Sequence, residues 1–327
     1  MLELRQIGAL YLSLAILSLV SCEQVLPYPD TGAKEVLLFR GIAGEDGPSF
    51  RIDKLYPITE KTFIKSDTPL NATLRLYVNG EEEVAYRSID TVFTSYSTAY
   101  NFQPGDKVEI QASVPGLPDV SASTIITSPP SIVSCESKAE GHQATITATV
   151  QIDRNNSEGG FAFKLEQSIL RRKYIDNVFK SEEVSEAIIP GRMDDVDYER
   201  SYGMSPLYGA DDADKNGNFC LKFKINTRYA DNTTDDGHSV TDSTFLLGAK
   251  LVCKHLSKEI FMNAGFRDKV TNLNDPYDAV FGSPIDFTNL NGGKGYLGSM
   301  SKSTSNWILT DENKILSDYY LGNACRK

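Results

Sequence analysis

The segment Asp212-Ala213-Asp214-Lys215-Asn216-Gly217-Asn218 carries oxygen-bearing side chains at alternate positions, with a glycine placed for a sharp turn. A calcium-binding loop begins with this spacing: side-chain oxygens at its first, third and fifth positions, Gly at the sixth and a carbonyl at the seventh. The second half of such a loop is missing. Cys220 stands at the ninth position and Phe223 at the twelfth, where a bidentate Glu belongs, and a strand pattern rather than a helix follows. Asp212, Asp214, Asn216 and Asn218 thus make at most a weak calcium loop, which Asp194, Asp195, Asp197 or Asp211 would have to complete. A solvated acidic hairpin turn is the simpler expectation, and no metal is expected.

Other chemistry has less to start from. Acyl transfer needs an activated Ser or Cys held against a His and an acidic orienter. The chain has no GxSxG, no HExxH and no SxxK with partners, and its three histidines, His142, His238 and His255, are scattered. The run Gly292-Gly293-Lys294-Gly295 lacks the spacing and the following helix of a phosphate loop. Acidic pairs are too numerous for any one to be singled out as a glycosidase pair. Neither an enzyme nor a cofactor is expected. Arg171, Arg172, Lys173 and Lys180 cluster with two aromatics, but 44 Asp plus Glu against 33 Lys plus Arg leave a net charge of -11, which repels phosphate backbones. Nucleic acid is therefore not an expected partner, and the basic cluster reads as the polar edge of a strand.

Aromatic residues make up 10% of the chain, nearly all Tyr and Phe. Most belong in strand cores, where they pack across neighbouring strands. Tyr198, Tyr202 and Tyr208 instead lie in an acidic, weakly periodic stretch, Asp194 to Asn218, and are candidates for a binding surface. Long stretches without regular structure are more often functional than connective.

The first 22 residues stand apart. Ile7 to Val20 is an apolar run of fourteen residues, about 21 Å as a helix, short of a hydrocarbon core of roughly 30 Å. It reads as a signal sequence. Its ending, Leu19-Val20-Ser21-Cys22, resembles the lipobox of bacterial lipoproteins, which implies cleavage before Cys22 and acylation of its thiol; several acyl chains anchor a protein stably. Cys135, Cys220, Cys253 and Cys325 remain. Exported cysteines can pair, in three ways for four residues, or simply be buried, and none forms a CxxC.

Strands must position these groups. From residue 33 the pattern is short and alternating, with EVLLFRGIAG, SFRIDKLYPI, DTVFTSY, DKVEIQASVP and VSASTIIT as strands. ATLRLYVNGEEEVAY puts Leu74, Leu76 and Val78 on one face, turns at Asn79-Gly80 and returns through Val84 and Tyr86. Ser128-Pro129-Pro130 is a stiff break. Beyond it ATITATVQI, FAFKLEQSIL, FCLKFKINT, FLLGAKLVC, YLGSMSK and NWILT read as strands, and LSKEIFMNAGF as a short helix. Residues 175–217 are expected as an acidic loop region and 231–243 as a polar connection. The expected fold is mainly β: two β-sandwich-like domains of immunoglobulin or fibronectin-III type, with a short helix in the second. The boundaries are a signal peptide over 1–21, a tether over 22–32, domains over 33–127 and 131–327, and a linker at 128–130.

The lipobox, the LRLYVNG hairpin, AKLVCKHLSKEIFMNAGF and the block SPIDFTNLNGGKGYLGSMS together resemble the Bacteroidota lipoprotein family catalogued as domain of unknown function 4249. In that block Pro284, Asn289, Gly293, Gly295, Tyr296 and Gly298 carry the likeness. The resemblance implies an outer-membrane lipoprotein, a TonB-dependent receptor as partner, and no catalytic residues. The expected function is a non-enzymatic accessory or binding lipoprotein held to the membrane by its lipid. A surface structural or adhesin-like protein, or a divergent hydrolase, are the alternatives.

Overall fold

A computed structural model describes residues 35–44, 48–55, 70–89, 94–154, 158–190, 207–235, 237–262 and 288–308. The chain divides into two units, residues 36–55 with 66–327, and residues 1–35 with 56–65. The second unit lies outside the described residues except for Glu35, and the description below concerns the first. It is mostly β, in mixed sheets, with one short α-helix among the described residues, at 258–262, and a 3-10 turn at Ala210–Asp212.

Strands β1 (Val36–Gly44) and β2 (Ser49–Leu55) run antiparallel. Then β3 (Thr73–Val78) turns at Asn79-Gly80 into β4 (Glu81–Glu83). Both turn residues have positive φ, 53° and 89°, the geometry for which Asn-Gly is suited. The return is shorter than its alternation suggests. Val84 is 62% exposed, and Tyr86 opens β5 (Tyr86–Ile89) in another sheet. Strands β6 (Thr94–Ser97), β7 (Lys107–Ser113) and β8 (Val120–Ile125) complete the first half.

The second half holds β9 (Ser131–Glu140), β10 (Gln143–Gln151), β11 (Gly160–Ile175), β12 (Val178–Pro190) and β13 (Leu207–Tyr208). After them come β14 (Asn218–Asn226), β15 (Arg228–Asp235), β16 (His238–Leu256) and β17 (Lys294–Thr304).

A ten-stranded sheet runs β12-β11-β16-β17-β1-β2-β6-β5, with β13 beside β11 and β15 beside β16. A four-stranded sheet, β4-β3-β7-β8, and a three-stranded sheet, β14-β10-β9, complete the fold. The large sheet draws strands from both sides of Ser128–Pro130. Its seam is the parallel pair β1–β17, Leu38 opposite Lys294 through Gly44 opposite Met300.

Two apolar cores result. One joins Phe39, Phe50 and Ile52 of the large sheet to Leu76, Val108 and Ile110 of the four-stranded sheet, and takes in Leu290 and Leu297 from far along the chain. The other joins Phe161, Phe163 and Leu251 to Ile146, Phe219 and Phe223 of the three-stranded sheet. Alternation builds the second: Ala144, Ile146, Ala148 and Val150 face inward and pair with Ile225, Phe223, Leu221 and Phe219, each opposite a larger side chain. The break at Ser128–Pro130 is held in place. Ser299 Oγ donates to the Ile125 carbonyl at 2.6 Å, Thr127 Oγ1 donates to the His255 carbonyl at 3.0 Å, and the His255 ring lies 2.8 Å from the Ser128 carbonyl.

Parts of two expected loops are strands, while 191–206 lie outside the described residues and 209–217 form turns. Residues 178–190 form β12, and 228–235 pair antiparallel with 238–245, so that 178–190, 231–235 and 238–243 belong to the ladder. Beyond a bulge at Leu247, opposite Ser168 and Ile169, these strands continue as an arm with much of its surface in water. A strand wet on both faces carries no period-two apolar signal, which is why the sequence hides it. In place of a core the arm has Arg172 and Arg228 over the Phe245 ring, 5.6 and 5.2 Å from its centre, and Asp176 against His238 at 2.6 Å. From the proposed helix LSKEIFMNAGF, residues 258–262 are helical; Leu256 instead closes β16, Ser257 joins the two, and 263–266 lie outside the described residues.

Candidate functional site

The four-stranded sheet turns Leu76, Val78, Val108, Ile110, Val120 and Ala122 into the first core. The alternate residues must therefore face outward. Register lines them up in rows across the strands. Tyr77 stands opposite Glu109 and Glu109 opposite Ser123; Arg75 stands opposite Gln111 and Gln111 opposite Ser121. Ser121 in turn exchanges both backbone hydrogen bonds with Asn291, at 3.1 and 2.9 Å, so the segment before β17 lies along the edge of β8.

That segment makes a wall. Asn289 fixes it by clamping Leu297, accepting its N–H at 3.0 Å and donating to its carbonyl at 2.8 Å. Gly292, at φ 88°, lets it approach: a Cβ there would lie 2.0 Å from the Asp119 carbonyl oxygen. Between the wall and the sheet face lies a groove of about 730 Å³, continuing past Gln111 and Ser121 into a hollow of about 520 Å³.

Its rim is set by groups that satisfy one another. Asn79 donates to Asp106 at 2.8 Å and accepts the Lys107 N–H at 3.0 Å, locking the hairpin tip onto β7. Burial pushes the Asp106 carboxyl upward, but hydrogen bonds from Gln103, Asn79 and Tyr100 prevail and hold it below the usual carboxylate range. Lys107 pairs with Glu109 at 2.8 Å, and Thr73 with Ser113 at 2.6 Å. In the middle, by contrast, the side chains of Arg75, Tyr77, Gln111, Ser121, Ser123 and Asn291 have no hydrogen-bond partner among the described residues. These six were not singled out by sequence reasoning. The alternation of LRLYV, VEIQAS and VSAST does put five of them outward; it does not tell which strands are neighbours or that Asn291 closes the edge.

The residues that sequence singled out lie elsewhere. Asp214 Oδ1 accepts the N–H groups of Asn216 and Asn218, both at 2.8 Å, and its Oδ2 accepts from Asn218 Nδ2 at 3.3 Å. Led by the Asn218 N–H, these bonds hold the Asp214 carboxyl below its ordinary range. Asp212 accepts the Gly209 N–H at 2.7 Å, and Arg154 sits 3.8 Å from Asp211. The segment is a self-capped turn with a guanidinium beside it, and among the described residues no three His, Cys, Asp or Glu are grouped to hold a metal. Tyr208 is half-buried, its ring 5.7 Å from Phe163 and 6.2 Å from Phe219 at the margin of the second core. Cys22, Tyr198, Tyr202 and Cys325 lie outside the described residues. Cys135, Cys220 and Cys253 are free thiols, and burial pushes Cys135 up to about 11 and Cys253 up to about 12. His255 is buried against Phe161, ring centres 4.5 Å apart, and burial pulls its imidazole below the ordinary value. The glycine block does packing work: Gly295, at φ 113°, would bring a Cβ within 1.8 Å of the Phe39 carbonyl across the parallel seam.

No protein-family model and no curated protein matches the chain. Among solved structures, it is similar to the Fcho1 Mu homology domain of Danio rerio with bound Eps15 peptide. Identity there is 7%, over 82% of this chain and 91% of that one, with a TM-score of 0.17. A structure of manganese lipoxygenase of Gaeumannomyces graminis with partial zonadhesin of Komagataella pastoris is 8% identical, over 67% and 88%, with a TM-score of 0.15. Scores this low carry no argument about fold or function.

Proposed function

We propose that this protein is a non-enzymatic binding lipoprotein of the outer membrane, anchored through Cys22 and acting as accessory to a TonB-dependent receptor. Its body is read as two sandwich-like halves built on one shared sheet, each half closed by a smaller sheet over its own core. The binding part of the reading rests on one observation: a preformed groove on the four-stranded sheet, in which polar side chains of three neighbouring strands and of the segment at Asn291 have no hydrogen-bond partner among the described residues. Sites borne on strands are held more tightly than sites on loops. The anchoring part rests on Leu19-Val20-Ser21-Cys22, and the receptor on the resemblance described above.

The test uses the full chain in its native membranes. Metabolic labelling with a radioactive fatty acid should mark the wild type and not Cys22→Ser, which should also leave the membrane fraction. Mild solubilisation and affinity capture of the wild type should bring down a TonB-dependent receptor. Acyl label persisting on Cys22→Ser would overturn the anchor, and capture free of any such receptor would overturn the accessory role.

A further inference from the structure

We infer that the groove on the four-stranded sheet is a binding site for an extended, uncharged, polyhydroxylated chain, that is, a neutral glycan. The inference rests on the binding reading above and adds the class of ligand.

Shape comes first. Three hollows of about 730, 520 and 330 Å³ follow one another along the sheet face, sharing Gln111 and Ser121 and then Thr73, Ser113 and Asp119. They extend from the hairpin tip at Gly80 to the β7–β8 turn at Pro115–Leu117. At about 3.4 Å per residue the six residues of β3 alone span roughly 20 Å, too long for a single small molecule and suited to a linear chain of repeating units.

Chemistry selects the kind of chain. Pockets for drug-like ligands are mostly apolar with a few polar groups; this groove is the reverse. Tyr77, Ser121 and Ser123 offer hydroxyls that both donate and accept, Gln111 and Asn291 offer amides that do the same, and Arg75 offers a planar fork of donors. A ligand that satisfies such a set must itself donate and accept at closely repeated positions, as vicinal hydroxyls do. Tyr77 adds a half-buried ring against which the C–H face of a sugar can lie. Rows two residues apart repeat this set along the groove, with Thr73 and Ser113 at its far end.

Charge excludes the main competitors. Among the described residues that line the groove Arg75 is the one cation; Glu109 is engaged by Lys107, Glu259 has a partner of its own, and Asp119 lies at the far end. No field of one sign is present to select a polyanion, and the chain as a whole carries -11. An extended peptide binds best by adding to a free sheet edge. The groove exposes a sheet face, and the adjoining edge of β8 is occupied at Ser121 by Asn291.

The experiment takes the purified full chain in a detergent without sugar groups, probed on a microarray of neutral and charged glycans. Hits are titrated calorimetrically as linear hexasaccharides of glucose, xylose or mannose, beside an uncharged Gly/Ser/Gln peptide of similar length. At least one neutral series should bind, with an affinity unchanged by added NaCl. Arg75→Ala with Gln111→Ala, and separately Tyr77→Ala, should each weaken it tenfold or more with the melting temperature unchanged, since these side chains face away from the core. Tyr77→Phe should retain more affinity than Tyr77→Ala, and Lys222→Ala with Lys224→Ala on the other small sheet should change nothing. Absence of any neutral-glycan signal, binding indifferent to the groove variants, or binding of the peptide in place of the sugars would each overturn the inference. Receptor capture on the same preparations separates the two readings. A receptor captured without sugar binding removes the ligand class alone, while sugar binding without a receptor removes the accessory role alone.

Discussion

The two small sheets are built alike and offer water different surfaces. Each buries every second residue against its half of the large sheet, so each presents a polar outer face. On the four-stranded sheet that face carries Arg75, Tyr77, Gln111 and serines beneath a wall at Asn289–Asn291. On the three-stranded sheet Thr145, Thr147 and Thr149 lie between Lys222 and Lys224 on one side and Glu136 and Lys138 on the other. Nothing corresponding to Asn291 is paired along the edge of that sheet among the described residues. Alternation makes a polar face; it takes a second element docked along an edge to make a groove.

The largest effects should come from the cores, where the two halves ought to behave as one. Phe50→Ala in the first and Phe219→Ala in the second should each cost about 3–5 kcal/mol. Because β17 pairs with both β1 and β16, both variants should unfold in a single calorimetric transition. Two separated transitions would mean that the seam does not couple the halves.

Glycine sharpens the contrast between the two faces. Gly292→Ala should cost about 2–4 kcal/mol, because the position combines positive φ with a carbonyl oxygen 2.0 Å from the new carbon. It should also abolish glycan binding by lifting the wall from β8. Gly141→Ala, in the β9–β10 turn at φ 62° with open space around it, should cost only about 1 kcal/mol. Equal costs in denaturant melts would show that close approach is not what matters at Gly292.

Thiol reactivity probes the second half alone. Cys220 is exposed on β14, whereas Cys135 and Cys253 are held protonated to about 11 and about 12 by burial. Alkylation of the native protein at mildly alkaline pH, followed by peptide mapping, should modify Cys220 first and the other two only on unfolding. Early modification of Cys253 would place it nearer to solvent than the core allows.

The smallest effect is a pH dependence at the join of the halves. Burial keeps the folded-state value of His255 below the unfolded value of about 6.5, so the unfolded chain takes up the proton first as pH falls. The stability linked to His255 is therefore present above that unfolded value and is lost as pH drops through it toward the folded one. Between about pH 7 and 5 the wild-type melting temperature should fall more steeply than that of His255→Gln, whose starting stability should be lower. Parallel slopes would remove His255 from the acid response.

Much of the β content could be read from the residues because alternation is a local property. ATITATVQI, FCLKFKIN and the Asn79-Gly80 turn declare their faces within a few positions. The strands of the arm were hidden for the opposite reason: Val178, Phe179 and Val184 are exposed on a ladder wet on both sides, which no burial pattern marks. The spacing of Leu256, Ile260 and Phe261 pointed to a helix here, but Leu256 ends β16 and the helix takes up only residues 258–262.

What the sequence determined by itself was the acidic balance, the inward and outward sides of most strands, and the lack of GxSxG and HExxH motifs. What only the tertiary structure decided was which strands became neighbours. The pairing of Leu38 with Lys294 spans most of the chain, and the Ser121–Asn291 bridge joins segments about half the chain apart. No spacing encodes such a contact, because it depends on how apolar faces from distant segments are buried together rather than on any local preference. The groove inherits that dependence: its rows exist only once β3, β7 and β8 are in register, and its wall only once glycines let the chain before β17 settle against them.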